Sequence, residues 1–143
     1  MEKFKQEIWK KNALNIKFDS LNSMHTQSLM NYFKLKYDIQ LAFSDNATFF
    51  NEVFSVLKKE EVILSINEKN GFIQLCQLLN IDISQTDFVT IIWNLNNSDR
   101  IKLNVLLEYW EYIWYGTSDE LCLLYFSKKD LFILISDYGT IYM

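Results

Sequence analysis

The chain has 143 residues, half of them apolar and 22% charged, with 14 basic and 18 acidic side chains and a net charge of −4. This size fits one domain, residues 1–143, with a core that needs no disulfide or metal staple, and the composition excludes a disordered chain. The negative balance argues against nucleic-acid binding, which needs a positive surface to neutralise phosphates.

The charge is unevenly distributed. Residues 1–36 carry seven lysines against Glu2, Glu7 and Asp19, while everything after residue 36 is acidic on balance. An acidic surface suits a basic partner through steering and complementarity. There is no proline and there are only three glycines, so Asn and Asp must mark most turns.

Taken in order, Phe4 and Ile8 share one face of a predicted short helix over residues 2–11. Leu14, Ile16 and Phe18 alternate with polar neighbours, a short strand signal. A loop at Asp19 to Ser23 feeds a helix from about Met24 to Phe33. Leu35, Tyr37, Ile39, Leu41 and Phe43 then alternate with less apolar residues, which predicts a half-buried strand over 35–43. A continued helix is the alternative, because nothing breaks the chain after Phe33.

Ser44-Asp45-Asn46 is a helix start, followed at helical spacing by Phe49, Phe50, Val53, Phe54 and Leu57. Val62 to Ile66 extends that helix or begins a strand. Asn70-Gly71 is either a hairpin turn or the lead into a helix through Leu79, and the spacing of Phe72, Leu75, Cys76 and Leu79 favours the helix. Ser84 with Asp87 resembles a capping box, predicting a helix to Leu95 with Phe88, Ile91, Ile92 and Leu95 inward. A final helix over 100–114 presents Leu103, Leu106, Leu107, Trp110, Ile113 and Trp114 to the core, and Gly116 ends it.

The runs Leu121–Phe126 and Leu131–Ser136 are apolar at nearly every position, so they read as strands covered on both sheet faces. Ser127 to Asp130 joins them as a hairpin loop, and Asp137-Tyr138-Gly139 turns the chain into a last short strand. The fold class expected is α+β, with several N-terminal helices packed on a C-terminal antiparallel sheet.

No constellation of catalytic, metal-binding or cofactor-binding residues stands out. His25 is the one histidine and has no nucleophile or orienting acid near it in sequence. Cys76 and Cys122 lie in apolar runs and read as reduced core thiols. Glu60-Glu61 is a carboxylate pair that reads as solvated charge. The isolated glycines make no phosphate loop. No apolar run reaches the roughly 18–20 residues of a membrane helix and no export signal opens the chain, so a cytoplasmic location is expected. The one grouping with interaction chemistry is Glu108, Glu111, Tyr115, Asp119 and Glu120: three on one helix face and two directly after it. These five are the expected partner-binding residues, with an ordinary solvated helix face as the alternative.

The stretch Trp114-Tyr115-Gly116-Thr117-Ser118-Asp119-Glu120, the apolar strands after it and the ending Asp137-Tyr138-Gly139-Thr140-Ile141-Tyr142 resemble the C-termini of small bacterial immunity proteins. Those belong to polymorphic and contact-dependent toxin systems. The resemblance implies a cytoplasmic, acidic, single-domain protein without enzymatic activity or cofactor, which binds and neutralises one cognate toxin, often a basic nuclease. Those families share no toxin-binding motif, so no residue role is carried over. A small-ligand or lipid-binding domain is the alternative, with an aromatic pocket among Phe49, Phe50, Phe54 and the tryptophans.

Overall fold

The two apolar runs near the C-terminus form the middle of a seven-stranded sheet. The structure is a computed structural model and describes residues 1–60, 66–83, 87–114, 121–136 and 139–143. Among the described residues the helices are α1 (Lys3–Lys11), α2 (Ser23–Lys36), α3 (Asn46–Val56), α4 (Lys69–Leu78), α5 (Leu103–Glu108) and α6 (Trp110–Ile113). The strands are β1 (Phe18–Leu21), β2 (Lys59–Glu60), β3 (Phe88–Asn94), β4 (Asn97–Lys102), β5 (Cys122–Phe126), β6 (Leu131–Ile135) and β7 (Ile141–Tyr142). All pairings are antiparallel, in the order β1-β4-β3-β5-β6-β7-β2, and the class is α+β. The sheet is mostly C-terminal, but both of its edges are N-terminal strands.

Alternation along the central strands sends side chains to two separate cores. Val89, Ile91, Cys122, Leu124, Phe126, Ile133 and Ile135 join one cluster with Trp9 of α1, Phe72, Leu75 and Cys76 of α4, Leu106 of α5 and Trp110 of α6. Ile92, Leu123, Phe132 and Leu134 join the other with Met30 and Phe33 of α2 and Phe49 and Val53 of α3. Both faces of β5 and β6 are therefore covered, as their continuous apolar character requires.

Each cluster has an aromatic centre. Trp110 stacks on Phe72 at 4.1 Å between ring centres and on Trp114 at 5.4 Å, and its indole N–H donates to the Ile66 carbonyl at 2.6 Å. On the other face Phe33 meets Phe132 edge-on at 4.9 Å. Rings buried this completely cost about 3–5 kcal/mol each to truncate.

Two buried cations tie the first helix to distant strands and helices. The Lys5 ammonium donates to the Ile113 carbonyl at 2.8 Å and sits 4.0 Å from the centre of the Trp93 ring. One turn along α1, the Trp9 indole donates to the Tyr112 carbonyl at 2.8 Å. The i, i+4 spacing on α1 thus supplies two donors to carbonyls at the end of α6 that have no partner within the helix. The Met1 amino group pairs with the buried Asp99 carboxylate, which also accepts from Ser20 and from the Trp93 indole at 2.7 Å each. Burying these charges without such partners would cost several kcal/mol apiece.

Helix starts follow sequence chemistry. Asn22 caps α2 by accepting from the His25 amide at 2.9 Å, and Asp45 caps α3 by accepting from the Thr48 amide at 2.7 Å. That bond holds the Asp45 carboxyl below its ordinary range.

Helix ends are less conventional, because the glycines are elsewhere. After α1, α2 and α4 the chain enters the left-handed region at Ala13 (φ 53°), Asp38 (φ 52°) and Asn80 (φ 52°). Each turn has the same two bonds: Leu14 to Trp9 and Ala13 to Lys10, Ile39 to Lys34 and Asp38 to Leu35, Ile81 to Cys76 and Asn80 to Gln77, always amide to carbonyl. This is a Schellman closure, and the residue after each left-handed position is apolar and turned inward.

The structure corrects four expectations. The strand signal at Leu14 to Phe18 and the loop at Asp19 to Ser23 give way to β1 at Phe18–Leu21, held by pairing with β4. Residues 35–43 do not form a strand: α2 continues to Lys36 and the Schellman turn at Asp38 follows, which placed Ile39 in the core and made the run look alternating. Residues 88–94 form β3 rather than a helix, and Phe88 is 41% exposed rather than inward. The helix expected over 100–114 begins only at Leu103, since Arg100 to Lys102 complete β4, and it is divided at Tyr109 into α5 and α6. The ambiguous segment at Val62, the Ser84 cap, the Gly116 terminus and residues Asp137 and Tyr138 of the last turn lie outside the described residues.

Two predictions follow from backbone geometry. Ala13 holds a left-handed conformation that costs a residue with a Cβ about 1 kcal/mol. Ala13→Gly should therefore raise stability by roughly 0.5–1 kcal/mol, read as a melting midpoint about 1–4 °C higher. Gly139 is the opposite case: its φ is +77°, and a Cβ there would lie 2.3 Å from Cγ2 of buried Ile66. Gly139→Ala should lower stability by about 2–4 kcal/mol in urea melts, combining the left-handed penalty with overpacking.

Candidate functional site

The expected acidic grouping is distributed by the break at Tyr109. Glu108 ends α5 and Glu111 lies in α6, and both are exposed. Their environments differ. Glu108 lines a cleft of about 430 Å³ together with Lys17, Arg100 and Lys102, and its charge raises the pKa of the neighbouring Tyr109 phenol. Glu111 accepts from the Lys69 amide at 3.2 Å, so its carboxylate serves the start of α4 in place of a local cap. Tyr115, Asp119 and Glu120 lie outside the described residues.

The side chains with the most reactive chemistry are engaged in the fold. His25 Nδ1 sits 2.8 Å from Oδ1 of Asn22, inside the cap of α2. Cys76 and Cys122 are free thiols and fully buried, and burial pushes the Cys76 pKa up to about 12, far from thiolate character at neutral pH. Among the described residues there is no group of three or more His, Cys, Asp or Glu side chains arranged to hold a metal ion. No helix among them is long and apolar enough to cross a membrane.

The residues of the aromatic-pocket alternative are divided by the sheet. Phe49 is fully buried, packs on Phe43 and Phe50 and lies in the core with α2 and α3. Trp9, Trp110 and Trp114 lie in the core on the opposite face.

Two features escaped the sequence reading. The first is a titratable cluster at the β5–β6 turn. Asp130 has φ 49°, accepts from Lys36 Nζ at 2.6 Å on its carboxylate and 2.7 Å on its carbonyl, and accepts from the Tyr32 hydroxyl at 2.6 Å. Tyr125 adds a longer bond at 3.3 Å. The Lys36 bond leads in holding the Asp130 carboxyl low, and the Asp130 bond leads in raising Tyr32 to about 12. Lys36 and Tyr32 are one turn apart on α2, so they latch that helix to the hairpin. A tyrosine held neutral this firmly is a donor, not a base.

The second is Phe88, the first residue of β3. Its ring carries the Arg100 guanidinium 4.9 Å from its centre, and Arg100 also pairs with Asp19 of β1 at 3.3 Å. Phe88 borders three clefts, of about 310, 430 and 430 Å³. No local sequence pattern marks it, because exposure of a strand aromatic is decided by register and by where the helical cover ends.

Comparison of the chain with protein-family models, with curated proteins and with solved structures finds no match.

The α2 latch gives a pH prediction. Tyr32 has a folded pKa above its ordinary value, so its contribution is present below about pH 10 and is lost as pH rises through about 12. Asp130 has a lowered folded pKa, so its contribution is present above the usual carboxylate range and is lost as pH falls through the folded value. Tyr32→Phe should be less stable than the parent at neutral pH. The gap should narrow both near pH 12 and in acid, as read from urea midpoints at about pH 3, 7 and 11.5.

Proposed function

We propose that this protein is a non-enzymatic binding protein that neutralises a cognate bacterial toxin, an immunity protein acting by occlusion. The observation that carries this reading is the engagement of its reactive side chains. His25 is part of a helix cap, Cys76 is a buried neutral thiol, and Asp99 is saturated by three donors. What the molecule offers to solvent is recognition chemistry instead: the exposed carboxylates of Glu108 and Glu111 beside half-exposed Tyr112 on a chain of net charge −4. The C-terminal resemblance to immunity proteins supports the same reading. The net charge suits a basic toxin, and a nuclease fits that description.

On this reading the acidic helix face steers the toxin toward the surface around Glu108. Glu111 is a poorer probe than Glu108, because its loss also removes the acceptor for the Lys69 amide. Glu108→Lys should leave the melting curve intact and slow association by about two- to tenfold at low salt, the difference shrinking at high salt. The measurement is co-purification with the product of the neighbouring gene, then association kinetics at two ionic strengths. A folded Glu108→Lys variant with unchanged kinetics moves the interface elsewhere on the surface, and failure of every neighbouring product to bind sinks the immunity reading.

A further inference from the structure

The helical cover of the sheet stops short of one corner. On the face packed by α2, the last buried contact toward β4 is Thr26 to Ser98, hydroxyl to hydroxyl at 2.7 Å. Two residues further along β4, Arg100 is exposed. Register sets Asp19, Arg100, Thr90 and Tyr125 side by side across β1, β4, β3 and β5, with Phe88 beside Lys102 at the strand end. Phe88 lines all three clefts, and the smallest is also lined by Ile81, Val89, Leu103 and Phe126 of the core on the other face of the sheet.

The corner differs from the rest of the molecule in charge. The three clefts are lined by five of the chain's 14 basic side chains and four of its 18 acidic ones, leaving nine against fourteen elsewhere. Asp19 pairs with Arg100 and Asp87 with Lys128, which leaves Lys17, Lys102 and Lys129 against Asp82 and Glu108. Lys17, Lys102 and Lys129 have no ion-pair partner among the described residues. An exposed aromatic capped by an arginine, ringed by lysines and adjoining an apolar cleft, has the composition of an interface anchor.

We propose that this corner binds an acidic peptide segment carrying one bulky apolar side chain. That side chain sits in the cleft of about 310 Å³, and neighbouring carboxylates of the segment meet the lysines around Phe88. A length of chain suits the corner because it carries an apolar side chain for the cleft and carboxylates for the spaced lysines in one occupant. A polynucleotide is disfavoured, since three lysines on a chain of net charge −4 match a few carboxylates better than a phosphate backbone. The inference goes beyond the toxin reading and adjoins its surface, because Glu108 lines one of these clefts while the segment sits on the lysine side, by Phe88 and Lys129.

The test uses the full chain, labelled with nitrogen-15, and four probes. Three are peptides of about twelve residues: a tryptophan among Asp and Glu, the same with alanine for tryptophan, and the tryptophan among Lys and Arg. The fourth is an oligothymidylate of equal length. The acidic tryptophan peptide should give saturable amide shifts confined to Phe88, Val89, Arg100 to Leu103 and Ser127 to Lys129. Replacing its tryptophan should weaken binding by about tenfold, and Phe88→Ala or Lys129→Glu by about fivefold or more, both variants melting like the parent. Equal binding of the basic peptide, tighter binding of the oligothymidylate, shifts centred elsewhere, or unchanged affinity in both variants would each overturn the proposal.

Discussion

Strands β5 and β6 cannot face water on either side. From Cys122 to Phe126 and from Leu131 to Ile135 every side chain is buried except Tyr125 and Leu131, which are half-buried. A two-stranded ribbon that is apolar on both faces obliges the remaining chain to supply two covers and two flanks. The covers are the helices contributing to the two cores, and the flanks are β3 with β4 and β1 on one side and β7 with β2 on the other. The positions of the clefts follow, because they form where those covers run out.

The polar interior is an outcome of the same constraint. Covering a sheet with short helices buries helix ends, and buried carbonyls need donors. Lys5 and Trp9 meet that need for α6, and at the surface Glu111 meets the opposite need, an acceptor for the first amide of α4. The result is a molecule whose conspicuous ionisable groups are mostly structural. Left outside are Glu108, the lysines lining the clefts beside Phe88, and aromatic residues such as Tyr112.

Much of this was legible in sequence, and the failures have definite causes. Helix α3 was readable from its start at Ser44-Asp45-Asn46, α2 from about Met24 without its cap, and the hairpin strands β5 and β6 from their unbroken apolar runs. The expected helix over residues 84–95 failed because Phe88, Ile91, Ile92 and Leu95 fit a 3.6-residue period by accident. In a strand buried on both faces the period of two disappears, so Ile91 and Ile92 can be neighbours and yet enter different cores. The false strand over 35–43 came from a Schellman turn made without glycine, where Asp38 gave no signal of its left-handed backbone. Of the five expected partner-binding residues, Glu108 and Glu111 were correctly read as exposed. Their separation into two roles depended on the break at Tyr109 and on the approach of Lys69, 42 positions away in sequence, which no local pattern encodes.

The bonds that close the fold also impose an order of events during translation. Lys5 and Trp9 of α1 wait for carbonyls 108 and 103 positions downstream, and the Tyr32 hydroxyl for a carboxylate 98 positions downstream. A ribosome adding about 5–20 residues per second separates the making of those partners by roughly 5–20 s. Through that interval Phe33, Phe49 and Val53 have no sheet to lie on, since Phe132 and Leu134 do not yet exist. The nascent N-terminal half therefore carries apolar surface that stays uncovered until the C-terminal strands are made.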